Sequence, residues 1–216
     1  VTTLVHNQTG QKANIAVGQR ERVLSVLGYI EEQLIDCRIR IRPNSFFQTN
    51  SIQAETLYRT CFEMLNPQRS ERVFDLYCGT GSIGILIAKY VQHVVGVELV
   101  EDAIKSANEN AVLNSITNIE FHHADVKDYL QQIEGKDIRF DTVIVDPPRT
   151  GLHPKALRRM LRLDAPRILY ISCNPATFAR DAREIVDAGY RLPVVKPVDM
   201  FPHTMHIEVA GGFYRQ

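Results

Sequence analysis

The chain has 216 residues, and its 44% hydrophobic content is enough for the core of one medium-sized domain with a small appendage. Twenty-five basic residues balance twenty-five acidic ones, which argues against a general electrostatic attraction to a polyanion. No apolar run approaches the roughly 20 residues of a membrane-spanning helix, so a membrane protein is not expected.

Four cysteines are spread along the chain without a C-x-x-C pair. This spacing predicts neither a zinc site nor a disulfide framework, and we expect no metal in this part of the protein. Free thiols fit a reducing compartment, so we expect the protein to be cytoplasmic. The cysteines are Cys37, Cys61, Cys78 and Cys173.

Basic residues nevertheless cluster in two places, where they form either local nucleic-acid contacts or an ordinary solvated face. We give these two interpretations equal weight. The first cluster is Arg38, Arg40 and Arg42, and the second is Lys155, Arg158, Arg159 and Arg162.

Residues 1–42 are rich in short β-type segments separated by turns. Examples are residues 14–17 and the alternating apolar and basic residues from Cys37 to Arg42. We predict that residues 1–42 are the remnant of a preceding β-rich domain and that the chain is part of a longer protein. Residues 43–216 are predicted to form the main domain.

A helix is predicted from Ser51 to about Leu65. Its apolar face would consist of Ile52, Leu57, Phe62 and Leu65. The dipeptide at positions 66–67, Asn-Pro, would end it, because the residue before a proline disfavours the helical conformation.

From Val73 onward, short apolar runs alternate with helical patterns, which is typical of a doubly wound parallel sheet. Two further β-rich runs at the C-terminus, joined by a short non-helical link, predict a final antiparallel pair. The strands are predicted at 73–76, 94–97, 119–122, 142–145, 168–172, 192–195 and 206–214. The predicted fold class is therefore α/β, with a mostly parallel sheet and a small β-rich N-terminal part.

A glycine-rich turn follows the first of these strands. Gly79, Gly81 and Gly84 satisfy G-x-G-x-x-G, which allows a tight turn and a close approach of the backbone to a ligand. Glu98, at the end of the next strand, is placed to hold ribose hydroxyls. This pattern alone suits a dinucleotide as well as S-adenosylmethionine.

Two further features favour S-adenosylmethionine. Asp75 lies in the strand before the loop, where a carboxylate would attract a sulfonium ion and repel a pyrophosphate. Asp146-Pro147-Pro148-Arg149 follows a predicted strand, and its prolines would fix an extended path at the ligand-binding edge of the sheet. Methyltransferases of exocyclic amines usually carry an aromatic residue after D-P-P, whereas this chain has Arg149.

With these motifs the chain resembles the RNA uridine-C5 methyltransferase family, whose members act on ribosomal or transfer RNA. The resemblance covers about residues 40–216 and implies a class I methyltransferase-like (Rossmann-like) fold. It rests on four segments: Phe46 to Asn50, Asp75 to Gly81, Asp146 to Gly151, and Tyr170 to Glu208.

The resemblance implies S-adenosylmethionine as cofactor, S-adenosylhomocysteine as product and RNA as substrate, with ribosomal RNA favoured over transfer RNA. It also implies an N-terminal RNA-binding barrel domain, which in some members carries an iron–sulfur cluster. We expect a monomer. The implied site consists of Cys173 as nucleophile, Glu208 as base, and Gln48, Tyr77, Gly79, Ser82, Glu98, Asp125 and Asp146 around the cofactor.

The chemistry of C5 methylation fits these two catalytic residues. C5 of uridine is too weak a nucleophile, and addition of a thiolate to C6 raises its electron density. After methylation a base must remove the C5 proton. Cys173 needs activation by positive neighbours or by backbone N–H groups, and Arg180 is a candidate for this role. Glu208, between two apolar residues, is favoured as the base over His203 and His206.

Other interpretations stay open. A cytosine-C5 RNA methyltransferase would use the same covalent logic but needs another cysteine near the Asp146 loop, and none is present. A catalytically silent cofactor-binding RNA module and, more distantly, a dehydrogenase are the remaining alternatives. Phe46, Phe47 and Phe201 could stack on a base, although a core position is expected for each.

Overall fold

The structure, a computed structural model, describes residues 2–8 and 20–216. The predicted strand at residues 14–17 lies outside the described residues. Two separate antiparallel pairs precede the main sheet. β1 (Thr3–Gln8) pairs with β2 (Arg20–Val26), and β3 (Ile30–Leu34) pairs with β4 (Cys37–Ile41), where the alternating sequence predicted a strand.

Helix α1 spans Ser51–Leu65, as predicted. The side chain of Asn50 caps its first turn by accepting a hydrogen bond from the Gln53 N–H, and Asn66 ends it in the left-handed conformation. The prediction that Ile52 belongs to the apolar face is wrong, because its side chain is 79% exposed. The buried stripe is offset around the helix and consists of Ala54, Leu57, Tyr58, Cys61 and Leu65.

The remaining elements alternate along the chain as the sequence predicted. They are β5 (Arg72–Leu76), α2 (Ser82–Ala88), β6 (His93–Glu98), α3 (Glu101–Leu113), β7 (Ile119–His123), α4 (Val126–Ile133), β8 (Thr142–Val145), α5 (Pro154–Arg162), β9 (Arg167–Ser172), α6 (Pro175–Asp187), β10 (Tyr190–Val198) and β11 (Glu208–Arg215).

These strands form one seven-stranded sheet in the order β10-β11-β9-β8-β5-β6-β7. β5 pairs in parallel with β6 and β8, and the parallel pairing continues to β7 and β9. β11 is antiparallel to both β9 and β10. The predicted doubly wound, mostly parallel sheet with a C-terminal antiparallel pair is therefore confirmed. Because β5 and β8 lie next to each other, the loops after them meet at one edge of the sheet.

Each face of the sheet is covered by its own apolar core. One core packs α1 and α2 against the sheet, and the other packs α4, α5 and α6 against the opposite face. The hairpin β3–β4 contributes Leu34, Cys37 and Ile39 to the first core, and all three are fully buried. This hairpin therefore packs with the main domain, while a domain boundary at residue 42 stays a prediction.

Two asparagines, one on α3 and one at its C-cap, attach the hairpin further. Asn110 and Asn114 each accept a hydrogen bond from a backbone N–H of β4 and donate one to the carbonyl of the same residue, Arg40 and Arg38 respectively. Asn110 also donates to the carbonyl of Thr80 in the glycine-rich loop, at 3.3 Å. One buried side chain thus joins the hairpin to the ligand-binding edge.

Within residues 2–8 and 20–216, none of the helices combines the length and the apolar character needed to span a bilayer. The same residues contain no group of three or more His, Cys, Asp or Glu side chains arranged to hold a metal ion.

Candidate active site

A cavity of about 810 Å³ opens at the carboxyl ends of the parallel strands. This is the edge at which open α/β sheets bind their ligands. All nine predicted site residues line it: Gln48, Tyr77, Gly79, Ser82, Glu98, Asp125, Asp146, Cys173 and Glu208. The sheet thus brings together side chains that lie far apart in the sequence, although their individual roles stay predictions.

The glycine-rich loop forms one wall of this cavity. Tyr77, Gly79 and Gly81 all have positive φ angles, of 64°, 53° and 79°, which produce the tight turn between β5 and α2. A Cβ at Gly81 would lie 2.7 Å from the Phe121 ring, so a larger residue does not fit there. A Cβ at Gly79 would meet nothing within 4 Å, which leaves the backbone at this position open to a ligand.

Glu98 fixes the loop from the end of β6. One of its carboxylate oxygens accepts the N–H of Gly79 at 3.2 Å. The other accepts the N–H groups of Leu99 and Val100 at 2.7 and 2.9 Å. A carboxylate has about four acceptor sites, and three are occupied here, so Glu98 can still accept about one hydrogen bond from a ribose.

The other predicted cofactor residues are held in different ways. The Asp125 side chain caps α4 by accepting the Lys127 N–H at 2.7 Å. The hydroxyl groups of Ser82 and Thr80 lie 3.2 Å apart. Gln48 is only 6% exposed, and burial raises the pKa of the Tyr77 hydroxyl to about 12, so this tyrosine stays neutral.

The predicted orientation of Asp75 toward a sulfonium ion is wrong, because Asp75 is fully buried and is not among the residues that line the cavity. Strand alternation turns its side chain toward α2, where a Cβ on Gly84 would lie 2.9 Å from a carboxylate oxygen. The Gly84 N–H lowers the pKa of Asp75, but neither oxygen gains a full hydrogen bond among the described residues. Burial dominates and raises this pKa to about 7.

Cys173 and Glu208 stand at adjacent strand ends. β9 pairs with β11 so that Ser172 lies opposite Val209, and one further step along each strand brings Cys173 beside Glu208. Burial raises the pKa of both groups, that of Glu208 to about 7. The Glu208 carboxylate further raises the pKa of the Cys173 thiol, which is consistent with this proximity.

The positive neighbour of this pair is Arg149, and the expectation that Arg180 activates Cys173 is wrong. Arg149 lowers the pKa of both Cys173 and Glu208. Arg180 instead pairs with Asp181 at 2.7 Å and donates to the Thr150 carbonyl at 3.1 Å. Arg180 lies in the second turn of α6, and its guanidinium reaches the loop after β8 and not the thiol.

Asp146 adds a second acidic group to this end of the cavity. Burial raises its pKa well above the ordinary value, and the neighbouring Glu208 and Asp75 raise it further. These influences favour the protonated form of Asp146, and a protonated carboxyl donates a hydrogen bond as well as accepting one.

The two competing histidines are placed differently from Glu208. His206 Nδ1 lies 2.9 Å from a guanidinium nitrogen of Arg149, which is a donor, so this ring nitrogen acts as the acceptor. Neither His203 nor His206 is among the described residues that line the cavity. Both residues are exposed, whereas Glu208 is buried at the cavity.

The aromatic residues of the rim differ from expectation in one case. Phe46 is 71% exposed and lines the cavity, whereas a core position was predicted. Phe47 and Phe201 pack partly against the core, as expected, and Phe47 also reaches the cavity. Sequence reasoning missed Tyr58, which lines the cavity from α1. Tyr58 belongs to none of the motifs and is not part of the predicted apolar face.

Most of the clustered basic residues have acidic or carbonyl partners. Arg40 and Arg42 pair with Glu31 and Glu109, each at 2.8 Å. In the second cluster Arg159 donates to the Lys127 carbonyl, and Arg162 pairs with Glu134. These contacts favour the solvated-face interpretation for these four residues.

Comparison with known proteins agrees with this geometry. The model of the family described as tRNA (uracil-5-)-methyltransferase matches residues 4–215. An uncharacterized RNA methyltransferase of Chlorobaculum tepidum is 45% identical over 215 residues, which are 99% of this chain and 44% of that protein. Another, from Caldanaerobacter subterraneus, is 43% identical over 208 residues, 96% of this chain and 46% of the relative.

Solved structures are similar as well. The tRNA (uracil-54, C5)-methyltransferase of Pyrococcus abyssi in complex with S-adenosyl-L-homocysteine has a TM-score of 0.77 and 38% identity, covering 96% of this chain and 49% of that one. A putative S-adenosylmethionine-dependent methyltransferase from Streptococcus mutans has a TM-score of 0.69 at 11% identity, covering 89% and 58% of the two chains, and supports the fold alone. The predicted class I methyltransferase-like fold is confirmed.

The chain spans about half the length of the curated relatives that it matches. The family model nevertheless covers almost all of its residues, and several relatives exceed 40% identity. The chain belongs to the tRNA (uracil-5-)-methyltransferase family.

Proposed function

We propose that this chain is the catalytic part of an enzyme that transfers a methyl group from S-adenosylmethionine to C5 of a uridine in RNA. The observation that carries the proposal is the meeting of Cys173 and Glu208 at one cavity with a glycine-rich nucleotide loop. Family membership and the similarity to a tRNA (uracil-54, C5)-methyltransferase support it.

The residues of the cavity fit a nucleoside-containing cofactor. Gly79 leaves its backbone open, and Glu98 offers a free acceptor site where a ribose would lie. Apolar side chains from Ile83 and Val126 lie among these polar groups and suit an adenine ring. S-adenosylmethionine would supply an electrophilic methyl group to the carbon that Cys173 has activated. Gln48, Tyr77, Ser82, Asp125 and Asp146 are the further residues proposed to hold it.

Cys173 begins the reaction by forming a bond between its Sγ and C6 of the uracil ring. Electrons of the C5–C6 double bond then move toward C5 and O4, which makes C5 nucleophilic. Arg149 favours the thiolate needed for this step, because its positive charge lowers the pKa that burial and Glu208 raise. The methylated carbon then carries both the new methyl group and its original proton.

Glu208 completes the reaction as the base. Its carboxylate takes the C5 proton, the C5–C6 double bond forms again, and the Sγ–C6 bond breaks to release the thiolate. A pKa of about 7, raised by burial, gives a carboxylate that is basic enough to accept this proton at neutral pH. Because the base stands beside the thiol, the two groups can act on the adjacent C5 and C6 atoms of one bound uracil.

An RNA substrate must present this uracil outside a helix, either flipped out or in a loop. Phe46, with its exposed ring at the rim, is a candidate stacking surface. Ribosomal RNA remains the substrate predicted from the resemblance, and transfer RNA is the alternative that the similar Pyrococcus abyssi enzyme suggests. Both substrates agree with the proposed cytoplasmic location.

The test uses the complete gene product, because the relatives are about twice as long as this chain. The protein is incubated with methyl-labelled S-adenosylmethionine and either ribosomal or transfer RNA, and the nucleosides are identified after digestion. We expect 5-methyluridine from wild type and none from Cys173→Ser. Label in 5-methylcytidine would support the cytosine alternative and contradict the proposal, as would equal activity of the Cys173→Ser variant.

A second variant separates the two proposed roles. Glu208→Gln keeps the shape of the side chain but cannot take the C5 proton at a useful rate. We expect a covalent protein–RNA adduct to accumulate on ordinary uridine RNA, visible as a band that resists denaturation. Turnover equal to wild type would remove Glu208 from its role and leave that of Cys173 untouched.

A further inference from the structure

The loop after β8, residues 149–152, makes several hydrogen bonds to Asn174, the N-cap of α6, and to the first two turns of that helix. The carbonyl of Arg149 accepts hydrogen bonds from Asn174 Nδ2 at 3.1 Å and from Thr177 Oγ1 at 3.3 Å. Arg180 donates to the carbonyl of Thr150 at 3.1 Å. Helix α6 begins two residues after Cys173, so these contacts join the loop that carries Arg149 to the segment that carries the thiol.

Asp181 is the centre of this arrangement. Its side chain is 1% exposed, and one oxygen accepts the Leu152 N–H at 2.8 Å and the Tyr170 hydroxyl at 2.6 Å. Its other oxygen pairs with Arg180, whose Nε lies 2.8 Å away. Burial and the Asp181 carboxylate both raise the pKa of Tyr170, so its hydroxyl stays a donor. Helix α6, strand β9 and the 149–152 loop therefore meet on one carboxylate.

The 149–152 loop packs so closely against α6 that no side chain fits at Gly151. Gly151 has a φ angle of +76°, and a Cβ there would lie 2.5 Å from Arg180 Nη2 and 2.7 Å from an Asp181 oxygen. The loop backbone consequently rests directly on these two side chains. Such charge-assisted bonds are stronger than neutral ones, and in a buried setting they hold their partners in one geometry.

We propose that Asp181 is a positioning residue, which fixes the 149–152 loop against α6 and so keeps Arg149 beside Cys173. The proposal deepens the proposed function and rests on it only for the catalytic role of the thiol. Asp181 does not line the cavity, so it would act through Arg149 and not on the substrate.

The electrostatic surroundings of Cys173 make this positioning measurable. The charged groups that influence the thiol are Glu208, Asp146 and Arg149, and Arg149 is the one that lowers its pKa. His206 also contacts Arg149, with its Nδ1 atom 2.9 Å from a guanidinium nitrogen. If Arg149 moves away, the remaining neighbours are acidic, and the thiolate forms only at higher pH.

The experiment measures the pH profile of Cys173 alkylation by iodoacetamide in the complete protein, without RNA. Mass spectrometry of the Cys173 peptide separates it from all other cysteines, including the three further ones of this chain, which are buried. For Asp181→Asn we expect the profile to shift to higher pH, with Arg149→Ala giving the upper limit of the shift. In methylation assays kcat should fall about tenfold with the KM for S-adenosylmethionine unchanged, because small displacements of catalytic groups act on the chemical step.

Two further variants keep the test decisive. Thr177→Val removes one hydrogen bond to the Arg149 carbonyl from a partly exposed position, so it should fold and shift the profile in the same direction by less. Arg183→Ala breaks an exposed ion pair with Asp187 elsewhere on α6 and should match wild type. Profiles of Thr177→Val and of folded Asp181→Asn that superimpose on wild type would overturn the proposal. If the variants shift the profile as expected but the wild-type protein has no methylation activity, the proposed function is rejected and the positioning role of Asp181 is kept.

Discussion

Replacement of Asp75 by asparagine should make the stability of the protein less dependent on pH. Asp75 is fully buried without a full hydrogen bond among the described residues, and burial raises its pKa from 3.8 to about 7. The folded state thus binds a proton more tightly than the unfolded state does. The contribution of the Asp75 proton to the stability of the fold is complete below pH 3.8 and is lost as the pH rises through about 7.

The size of the effect follows from these two pKa values. Each pKa unit corresponds to about 1.4 kcal/mol, so the whole contribution is about 4 kcal/mol. About 3 kcal/mol of it falls between about pH 5 and pH 8, the range in which the protein can be handled. The side chain introduced by Asp75→Asn does not titrate, so the stability of the variant relative to wild type should increase by that amount over this range.

Urea unfolding at several pH values between about 5 and 8 measures this difference by linear extrapolation. Subtraction of the wild-type curve removes the contributions of other titrating groups, and Asp187→Asn, an exposed substitution on α6, serves as control. A stability difference between Asp75→Asn and wild type that is constant across the pH range would refute the reasoning. It would mean that Asp75 ionises as easily in the folded protein as in the unfolded chain.

Three further outcomes are expected. Asn110→Ala should lower the free energy of unfolding by about 2 kcal/mol, because it leaves buried backbone groups unpaired. The control Asn108→Ala, at an exposed position of the same helix, should change this free energy by less than about 1 kcal/mol. Equal losses for the two variants in urea unfolding would contradict this. Glu98→Gln should weaken S-adenosylmethionine binding about tenfold in calorimetry, or about 1.4 kcal/mol, and unchanged affinity would exclude Glu98 from the site. In single-turnover assays, release of the adduct should speed up as the pH rises through about 7, where Glu208 becomes the deprotonated base, and a flat profile would contradict its role.

The fold was predictable because its signals are local. Short apolar runs separated by helical patterns indicate a parallel α/β sheet, and the G-x-G-x-x-G turn marks the ligand-binding edge. The prediction that Cys173 and Glu208 lie at one site depended on the resemblance to the RNA uridine-C5 methyltransferase family. The structure adds the register of β9 and β11, which puts the two residues side by side.

Other features depend on packing that no local pattern reports. Asp75 lies only a few residues before the glycine-rich loop that lines the cavity, but strand alternation turns its carboxylate toward α2. Arg180 is near Cys173 in sequence, whereas Arg149 reaches it only through the adjacent pairing of β8 and β9. The offset that exposes Ile52 arises because α1 packs on the sheet and on the β3–β4 hairpin at once.

Trapping with 5-fluorouridine RNA tests the central claim about Cys173 most directly. Fluorine at C5 leaves no proton for a base to remove, so the reaction should stop with the thiol bonded to C6. We predict that the complete protein and S-adenosylmethionine give a denaturation-resistant complex, whose digestion places the nucleotide on the Cys173 peptide, and that Cys173→Ala gives none. A complex formed equally by Cys173→Ala, or a nucleotide attached to another residue, would contradict the account.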